Sequence, residues 1–353
     1  MKEINVGLIG FGLAGRVLHM PFLQSHPGFC ITDVYSSQVD LIQKEIPGCR
    51  VHQSLDSLLS ESSLGLVINC GPNETHFSYA KEVLKANKHL VIEKPFVNTV
   101  EEGLALIELA RSKNKVLTVF HNRRWDGDFL TVKDLVASRK LGDIKLFEAR
   151  WDRFRPDSDL AKWREKPAPG AGVLFDLGPH LIDQVLQLFG LPKRVFADID
   201  SLRDSNAADD YFHLILDYGS KKVVLRAFTF AEGTPRFEIC GSQGVFRKFG
   251  VDIQESQLRE KMSPLDAEFG VDPESSWGEL ITFKDSGSNV SKMETHHGNY
   301  MEFYNGLYQS ITEGKEGIPV PAKEALEVIQ IIELAFQSHQ QGTWVDFVPL
   351  DFK

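Results

Sequence analysis

The chain has 353 residues, enough for about two domains at ~150 residues each, and its 42% hydrophobic and 25% charged residues exclude a mainly disordered or fibrous protein. A formal net charge of −10 argues against nucleic acid or an anionic membrane surface as a partner, because both need a basic surface. No uncharged apolar run approaches the ~18–20 residues of a membrane span, and none of the four cysteines forms a C-x-x-C pair, so we expect a cytoplasmic protein with reduced thiols and no catalytic metal.

Up to about residue 120, short apolar runs alternate with helical periods. Strands are predicted near 4–9, 29–36, 66–69, 89–93 and 116–120, with helices near 14–25, 55–61, 75–87 and 99–113. All-apolar runs such as 90–92 suit strands that are covered on both faces. Repeated strand–helix–strand units predict a doubly wound parallel sheet, and we assign residues 1–121 to this α/β domain.

From about residue 144 the pattern changes to alternating runs separated by turn signals. Strands are predicted near 145–154, 194–202, 211–217, 222–230 and 236–239, with one helix near 176–189. Residues 251–298 are polar and are predicted to form long loops, and helices near 299–313 and 322–340 close the chain. We assign residues 122–353 to an α+β domain with a large, mainly antiparallel open sheet.

A glycine-rich segment follows the first predicted strand and opens a predicted helix. It has the pattern G-x-G-x-x-G and consists of Gly10, Phe11, Gly12, Leu13, Ala14 and Gly15. The first glycine permits a tight turn, the second lets the backbone approach a pyrophosphate, and the third allows close helix–strand packing. The helix N-terminus adds N–H groups and a positive dipole end. These features predict an NAD(P)-binding Rossmann domain; the alternative is a glycine-rich turn with no ligand.

The end of the second predicted strand bears on the choice of coenzyme. An acidic residue there would bond the ribose 2′-hydroxyl and favour NAD, but the stretch contains Ser36 and Ser37, while Asp33 and Asp40 lie before and after it. Serine hydroxyls can donate to a 2′-phosphate, which a carboxylate would repel. The pattern favours NADP(H). NAD(H) stays open, because no arginine follows and the serines alternatively only end the strand.

A lysine follows the fifth predicted strand, in the run Glu93-Lys94-Pro95. Ligands of open α/β sheets bind beyond the carboxyl ends of the strands, so Lys94 is placed to meet a bound nicotinamide. The proline restricts the backbone of the lysine. Lysines after strands are common on protein surfaces, so the position in the strand–helix alternation carries this prediction more than the three-residue motif does.

Motifs along essentially the whole chain resemble those of the Gfo/Idh/MocA oxidoreductases. Besides the glycine loop they are Pro72-Asn73-Glu74-Thr75-His76, Glu93-Lys94-Pro95, and the glycine, aspartate and histidine positions Gly170, Gly172, Asp176, Gly178 and His180. The segments His121–Asp126 and Trp163–Glu165 are most similar to the branch that includes NADP-dependent scyllo-inositol dehydrogenase. The resemblance implies a dehydrogenase that acts on a secondary alcohol of a sugar, polyol or inositol, with Lys94, Asp176 and His180 as catalytic residues. Ala171 departs from the family's Gly-Gly-Gly run.

Asp176 and His180 lie four residues apart on a predicted helix, so both project from one face. Without the resemblance, an ordinary surface pair would be the better interpretation. When a hydride leaves a carbon, the attached hydroxyl must lose its proton, and a positioned acid or base is worth ~10²–10⁴-fold in rate. We expect Lys94 or His180 to exchange that proton, with the choice between them open, and Asp176 to position His180 and the substrate.

Further contacts are assigned to residues in and around these motifs. For the coenzyme we expect contacts from Pro72, Asn73, His76, Glu93, Lys94 and Asn122, although His76 alternatively caps or packs its helix. For the substrate we expect contacts from Lys94, Arg123, Trp163, Arg164, Asp176 and His180, with a loop-packing role open for Trp163 and Arg164. Arg124 is expected in a structural ion pair.

The expected assembly is a homodimer or homotetramer joined through the sheet of the second domain. Three other functions stay open: NAD-linked turnover of the same substrates, a redox-assisted glycosidase on the same fold, and a dinucleotide-binding regulator without turnover. The combination of Lys94, Asp176 and His180 counts against the regulator, because a sensor needs no proton relay.

Overall fold

The computed structural model describes residues 2–161, 163–284, 287–314 and 317–352. The chain forms two compact units. The first consists of Met1–Asn122, Gln254–Phe269 and Asn299–Leu326, and the second of Arg123–Ile253, Gly270–Gly298 and Glu327–Lys353. Residues 254–269 and 299–326 therefore group with the dinucleotide-binding half, whereas the sequence-based division at residue 121 places them in the second domain.

The strands of the two units follow one another along the chain. They are β1 Ile4–Ile9, β2 Phe29–Tyr35, β3 Arg50–His52, β4 Leu66–Asn69, β5 His89–Ile92, β6 Leu117–Val119, β7 Ile144–Arg150, β8 Arg194–Asp200, β9 Tyr211–Asp217, β10 Lys222–Phe228, β11 Phe237–Gly241, β12 Gly244–Lys248, β13 Gly278–Lys284, β14 Gly287–Met293 and β15 Val345–Asp346.

The α-helices alternate with the first six strands and then become sparser. They are α1 Met20–Ser25, α2 Val39–Glu45, α3 Leu55–Leu59, α4 His76–Lys85, α5 Val100–Ser112, α6 Gly127–Ala137, α7 Val173–Phe189, α8 Gln254–Arg259, α9 Met301–Thr312 and α10 Ala322–Gln341. A π-helical turn, Ala14–His19, precedes α1 directly. No helix among these described residues is long and apolar enough to cross a membrane.

The first unit contains a six-stranded sheet in the order β3-β2-β1-β4-β5-β6. Every pairing in it is parallel. Strand β4 is buried along its whole length, as expected for strands covered by helices on both faces. The strand order reverses between β1 and β4, which opens a crevice at their carboxyl ends. The predicted doubly wound domain is confirmed, and the turns after β1, β4 and β5 lie at the edge where the strands end.

The second unit contains a nine-stranded sheet in the order β14-β13-β12-β11-β7-β10-β9-β8-β15. Among the residues that the structure describes, β7 and β10 are the one parallel pair of this sheet, and the other neighbouring strands pair antiparallel. Helix α7 packs on β9 and β10. Alternate residues of β9 and β10 are buried and half-buried, so one face of the sheet carries the core of this unit. The predicted α+β domain with a mainly antiparallel sheet is confirmed.

Some elements differ from those the sequence pattern predicts. Residues 251–298 are not all loop, because they contain α8 and the β13–β14 hairpin. Strand β14 exposes nearly all its side chains, so it has no hydrophobic alternation to detect. The three-residue strand β3 and helices α2 and α6 are also missed, while α7 begins at Val173, three residues earlier than expected.

Candidate active site

The glycine turn after β1 packs tightly on both sides but is open in the middle. Gly10 has φ +87°, and a Cβ there would lie 2.9 Å from the carbonyl oxygen of Cys70. A Cβ on Gly15 would lie 2.5 Å from the carbonyl oxygen of Gly10. At Gly12, by contrast, an added Cβ meets nothing within 4 Å. The turn therefore leaves an open backbone surface before the following helix, which fits a dinucleotide pyrophosphate.

Asp33 on β2 is committed to neighbouring side chains. Its carboxylate accepts hydrogen bonds from Arg50 at 2.7 and 2.9 Å and lies 2.8 Å from Nε2 of His52. Burial opposes ionisation of Asp33, but these bonds outweigh it and lower the pKa of the carboxyl group. His52, Asp33 and Glu61 bring ligand-type atoms together, yet Arg50 already supplies a cation to both carboxylates. Asp33 thus has no free oxygen directed to a ribose.

The strand end after Asp33 carries hydroxyl groups. The Ser36 hydroxyl accepts the N–H of Gln38 at 3.2 Å, and Ser37 is exposed. The Gln38 side chain donates to the carbonyl oxygen of Phe11 in the glycine turn at 3.3 Å, which ties the two turns together. The geometry is compatible with the predicted role of both serines as phosphate donors.

The turn after β5 is held by a buried chain of polar groups. Oε1 of Glu93 lies 3.0 Å from Nε2 of His19, and the other ring nitrogen of His19 lies 2.9 Å from the Tyr304 hydroxyl. Oε2 of Glu93 accepts the backbone N–H of Lys94 at 3.1 Å. Burial opposes ionisation of Glu93, but the His19 bond and nearby positive charges outweigh it, so its pKa is lowered. Glu93 therefore positions the half-buried Lys94. Because both carboxylate oxygens of Glu93 are already bonded, any coenzyme contact of Glu93 is not made through a free carboxylate.

His76 joins the turns after β4 and β5. One ring nitrogen lies 2.7 Å from the carbonyl oxygen of Pro95 and the other 3.2 Å from that of Gly71. Burial lowers the pKa of this imidazole. Both nitrogens face backbone oxygens, so His76 holds these two turns together, and its coenzyme contact stays a prediction. Pro72 and Asn73 lie in the same turn, where Asn73 is buried and its Glu74–Thr75 neighbours start α4.

In the second unit, Asp176 and His180 both lie on α7 as predicted. Their four-residue spacing places them on one face, where His180 is buried and Asp176 is half-buried. The Trp151 ring lies beside the His180 imidazole, with centroids 5.7 Å apart. Nε of Arg164 lies 3.6 Å from Oδ1 of Asp176, and its contact with substrate stays a prediction. The Trp163 side chain lies outside the described part of the chain.

The start of α7 is fixed from another segment. Gly172 precedes the helix with φ +89° and has no side chain to cap it. Asp209 supplies the cap instead: Oδ2 accepts the N–H of Leu174 at 2.7 Å, and its backbone oxygen accepts that of Val173 at 2.8 Å. A Cβ on Gly172 would collide with Oδ1 of Asp209. The glycine-rich approach to the helix is therefore anchored by Asp209.

The middle of α7 is fixed by buried charged and amide groups. Arg124 forms a two-pronged ion pair with Asp183 at 2.9 and 2.6 Å, so its expected structural role is confirmed. Gln184 donates to the carbonyl oxygen of Arg123 and accepts from Arg236, both at 2.9 Å. These bonds hold the helix at the level of His180.

Two guanidinium groups support Trp151 itself. The guanidinium carbons of Arg123 and Arg236 lie 4.5 and 4.7 Å from the Trp151 ring centroid. Arg123 also pairs with Asp126 at 3.2 Å. Arg123 is predicted as a substrate contact, and the structure shows it packed on the Trp151 ring, so its contact with substrate stays a prediction. Asn122 is buried at the end of the first unit, and its coenzyme contact also stays a prediction.

Sequence reasoning misses Trp151, Asp209, Arg236 and Asp183. Trp151 directly follows β7, whose residues alternate with period two. A large aromatic residue just beyond a strand was the feature from which a role at the site could have been predicted. Asp209 has no local signal, because its partner Leu174 is 35 residues away.

Gly12→Ala tests the open face of the glycine turn. The methyl group would enter the space left for the pyrophosphate, so we expect NADPH affinity, measured by fluorescence titration, to fall about tenfold or more with the melting temperature nearly unchanged. Gly15→Ala is the contrasting variant, since its methyl group meets backbone and should lower the melting temperature. Normal NADPH binding by a folded Gly12→Ala protein would contradict this assignment.

Asp209 makes the stability of the second unit depend on pH. Burial raises its pKa to about 7, above the ~3.9 of an unfolded aspartate, so the native state holds this proton more tightly. The stability it contributes is present below about pH 4 and is lost as the pH rises to about 7. The Asp209→Asn variant does not titrate at this position. We therefore expect the melting temperature of the wild type minus that of Asp209→Asn to fall as the pH rises from about 4 to about 7. Asp143→Asn, at an exposed carboxylate, is the control, and a pH-independent difference for Asp209→Asn would contradict the account.

Comparisons with known proteins cover both units. Two Gfo/Idh/MocA family models match the chain, the NAD-binding Rossmann fold of the oxidoreductase family at residues 4–121 and its C-terminal alpha/beta domain at residues 133–347. The scyllo-inositol 2-dehydrogenase (NADP(+)) IolW of Bacillus subtilis is 37% identical over 342 residues, covering 97% of this chain and 95% of the relative. The uncharacterized oxidoreductase YdgJ of Escherichia coli is 37% identical over 337 residues, covering 95% and 96%.

Solved structures agree with these matches. The protein yvaA of Bacillus subtilis gives a TM-score of 0.95 at 36% identity, covering 98% of this chain and 99% of that one. The protein YPO2259 of Yersinia pestis gives a TM-score of 0.93 at 38% identity, covering 99% of each chain. The chain is therefore an oxidoreductase of the Gfo/Idh/MocA family with an NAD(P)-binding Rossmann domain.

Proposed function

We propose that this protein is an NADP(H)-preferring dehydrogenase that transfers a hydride between the nicotinamide and a secondary alcohol or ketone of a sugar, polyol or inositol. The observation that carries the proposal is the Asp176–His180 pair on one face of the anchored helix α7, in a chain that also has the open glycine turn. The name of IolW, an NADP-dependent scyllo-inositol dehydrogenase, supports the substrate class and the coenzyme.

In the proposed mechanism the hydride is transferred by the coenzyme and the proton by protein side chains. When bound, the coenzyme accepts or donates the hydride at its nicotinamide ring. Lys94 stabilises the negative charge that develops on the substrate oxygen or exchanges a proton with it, and His180 is its partner or the alternative base. Asp176 orients His180 and accepts hydrogen bonds from substrate hydroxyls. Trp151 limits the movement of the His180 ring.

The preference for NADP(H) is proposed from the end of β2. The carboxylate of Asp33 is directed to Arg50 and His52, so it does not repel a 2′-phosphate there. The hydroxyls of Ser36 and Ser37 remain as donors for that phosphate. Titration of coenzyme fluorescence should give tighter binding of NADPH than of NADH; about tenfold tighter NADH binding would overturn the preference.

We also propose that the outward face of the second sheet joins subunits. Phe196, Ile215 and Val224 stand in register on neighbouring strands β8, β9 and β10. All three are half-buried within one chain, and they alternate with residues of the core. A second copy of the same face would cover this apolar row, as homo-oligomers commonly do.

Lys94→Ala tests the catalytic proposal in a screen of polyols, inositols and aldoses with both coenzymes. Loss of the ammonium group should reduce turnover by ~10²–10⁴-fold while NADPH still binds, because the side chain acts on the reacting oxygen. Lys85→Ala, which removes an exposed lysine paired with Glu82, is the matched control. Near-normal turnover by Lys94→Ala would remove its catalytic role, and no reduction across the whole panel would favour a dinucleotide-binding regulator.

A further inference from the structure

An arginine that no motif singles out follows β7 on the same face as Trp151. The backbone N–H groups of Trp151 and Arg153 donate to the carbonyl oxygens of Arg226 and Phe228 at 2.8 and 2.9 Å, so the segment continues along β10 in an extended form. Side chains two residues apart on such a segment point to the same side. Because Trp151 contacts His180, Arg153 is directed toward α7 as well.

The spacing brings Arg153 to Asp176. Two residues along an extended segment span ~7 Å, and one helical turn, the separation of Asp176 and His180, spans ~6 Å. With Trp151 beside His180, the next inward side chain is therefore directed toward the Asp176 end of the pair. The electrostatics agree with this placement: burial lowers the pKa of Arg153, the charge of Arg155 lowers it further, and Asp176 acts in the opposite direction.

One nitrogen of the Arg153 guanidinium lacks a protein acceptor within the described part of the chain. Its Nε is buried and has no hydrogen-bond partner among the residues that the structure describes. Arg203, another arginine of this region, bonds the carboxylate of Asp210 at 2.8 Å and approaches Glu165 at 3.4 Å. Removing a charged N–H group from water without giving it an acceptor costs free energy. We therefore expect the Arg153 Nε to donate to an oxygen of a ligand or of a water molecule.

The region also has more positive than negative charge. Arg155 and Arg203 lie near Arg153, and Arg164 lies 3.6 Å from Asp176, so four guanidinium groups share the three carboxylates of Asp176, Glu165 and Asp210. The carboxylates of Asp210 and Glu165 are engaged by Arg203. In a chain whose net charge is −10, such a local excess of arginine is typical of a site that binds an anion.

We propose that Arg153 binds an anionic group of the substrate, a carboxylate or a phosphate, so that the enzyme prefers acidic sugar or polyol derivatives over neutral ones. This inference rests on the proposed function, because it takes Asp176 and His180 as the substrate site. Arg153 then sets specificity, and the acid–base chemistry is left to the residues already assigned.

The test compares sets of substrates that share one carbon skeleton and differ in a single group, which is either neutral or acidic. Glucose, glucuronate and glucose 6-phosphate form one set, the galacto equivalents a second, and inositol with inositol monophosphate a third. Binding to the NADPH- or NADP-loaded protein is measured by calorimetry, and turnover by coenzyme absorbance. We expect the acidic member of at least one set to bind about tenfold or more tightly than its neutral parent, with an advantage that falls as salt is added. Which acidic member is preferred distinguishes carboxylate from phosphate.

Arg153→Gln should abolish that advantage, because the acidic member loses about tenfold or more in affinity relative to its neutral parent, while Arg153→Lys should restore part of it. Arg139→Gln, which removes an exposed arginine paired with Asp143, is the control for charge alone. The inference is overturned if the wild type binds the acidic and neutral members of every set equally well, or if Arg153→Gln weakens the binding of both equally. In either case, turnover of the neutral members would leave the proposed function standing. If no member of any set binds or reacts, the proposed function fails and this inference fails with it.

Discussion

Helix α7 carries both acid–base candidates of the second unit, and buried polar contacts fix its position at two levels. At its start, Asp209 takes the place of the side chain that Gly172 lacks. One turn beyond His180, Asp183 meets Arg124 in a buried ion pair. Removing one partner of such a pair leaves a charge stranded in a low-dielectric interior, typically at a cost of about 3–5 kcal/mol. The helix can therefore shift little without breaking contacts that the fold needs, and its imidazole and carboxylate keep one orientation.

The first unit uses the same device at the turn that carries Lys94. Glu93, His19 and Tyr304 form a buried chain that ends on the Lys94 backbone N–H. These three side chains bond to one another and to the backbone, and this chain of bonds holds the strand end in place. Reaction rates depend steeply on the placement of catalytic groups, so supporting residues of this kind are as necessary to a site as the groups that react.

The sequence predicts the features that depend on local pattern. The glycine turn, the all-apolar strands and the four-residue spacing of Asp176 and His180 can each be read within a few residues, and the structure places them as expected. The features that are missed arise from contacts between distant segments. The Asp209 cap joins residues 35 apart, and the Gln184–Arg236 bond joins residues 52 apart, so neither leaves a trace in a sequence window. His76 shows a related limit, since the sequence does not reveal that its two ring nitrogens face the backbone oxygens of Pro95 and Gly71.

Direct hydride transfer by this chain is the central claim, and isotope transfer measures it most directly. NADPH that carries deuterium at both positions on C4 of the nicotinamide is incubated with the protein and a carbonyl substrate identified by the screen, and the product is analysed by mass spectrometry. The account predicts one deuterium on the new carbinol carbon and none when the reaction is run with unlabelled NADPH in deuterated water. Product without label from the coenzyme, or with label at that carbon from the solvent, would contradict it.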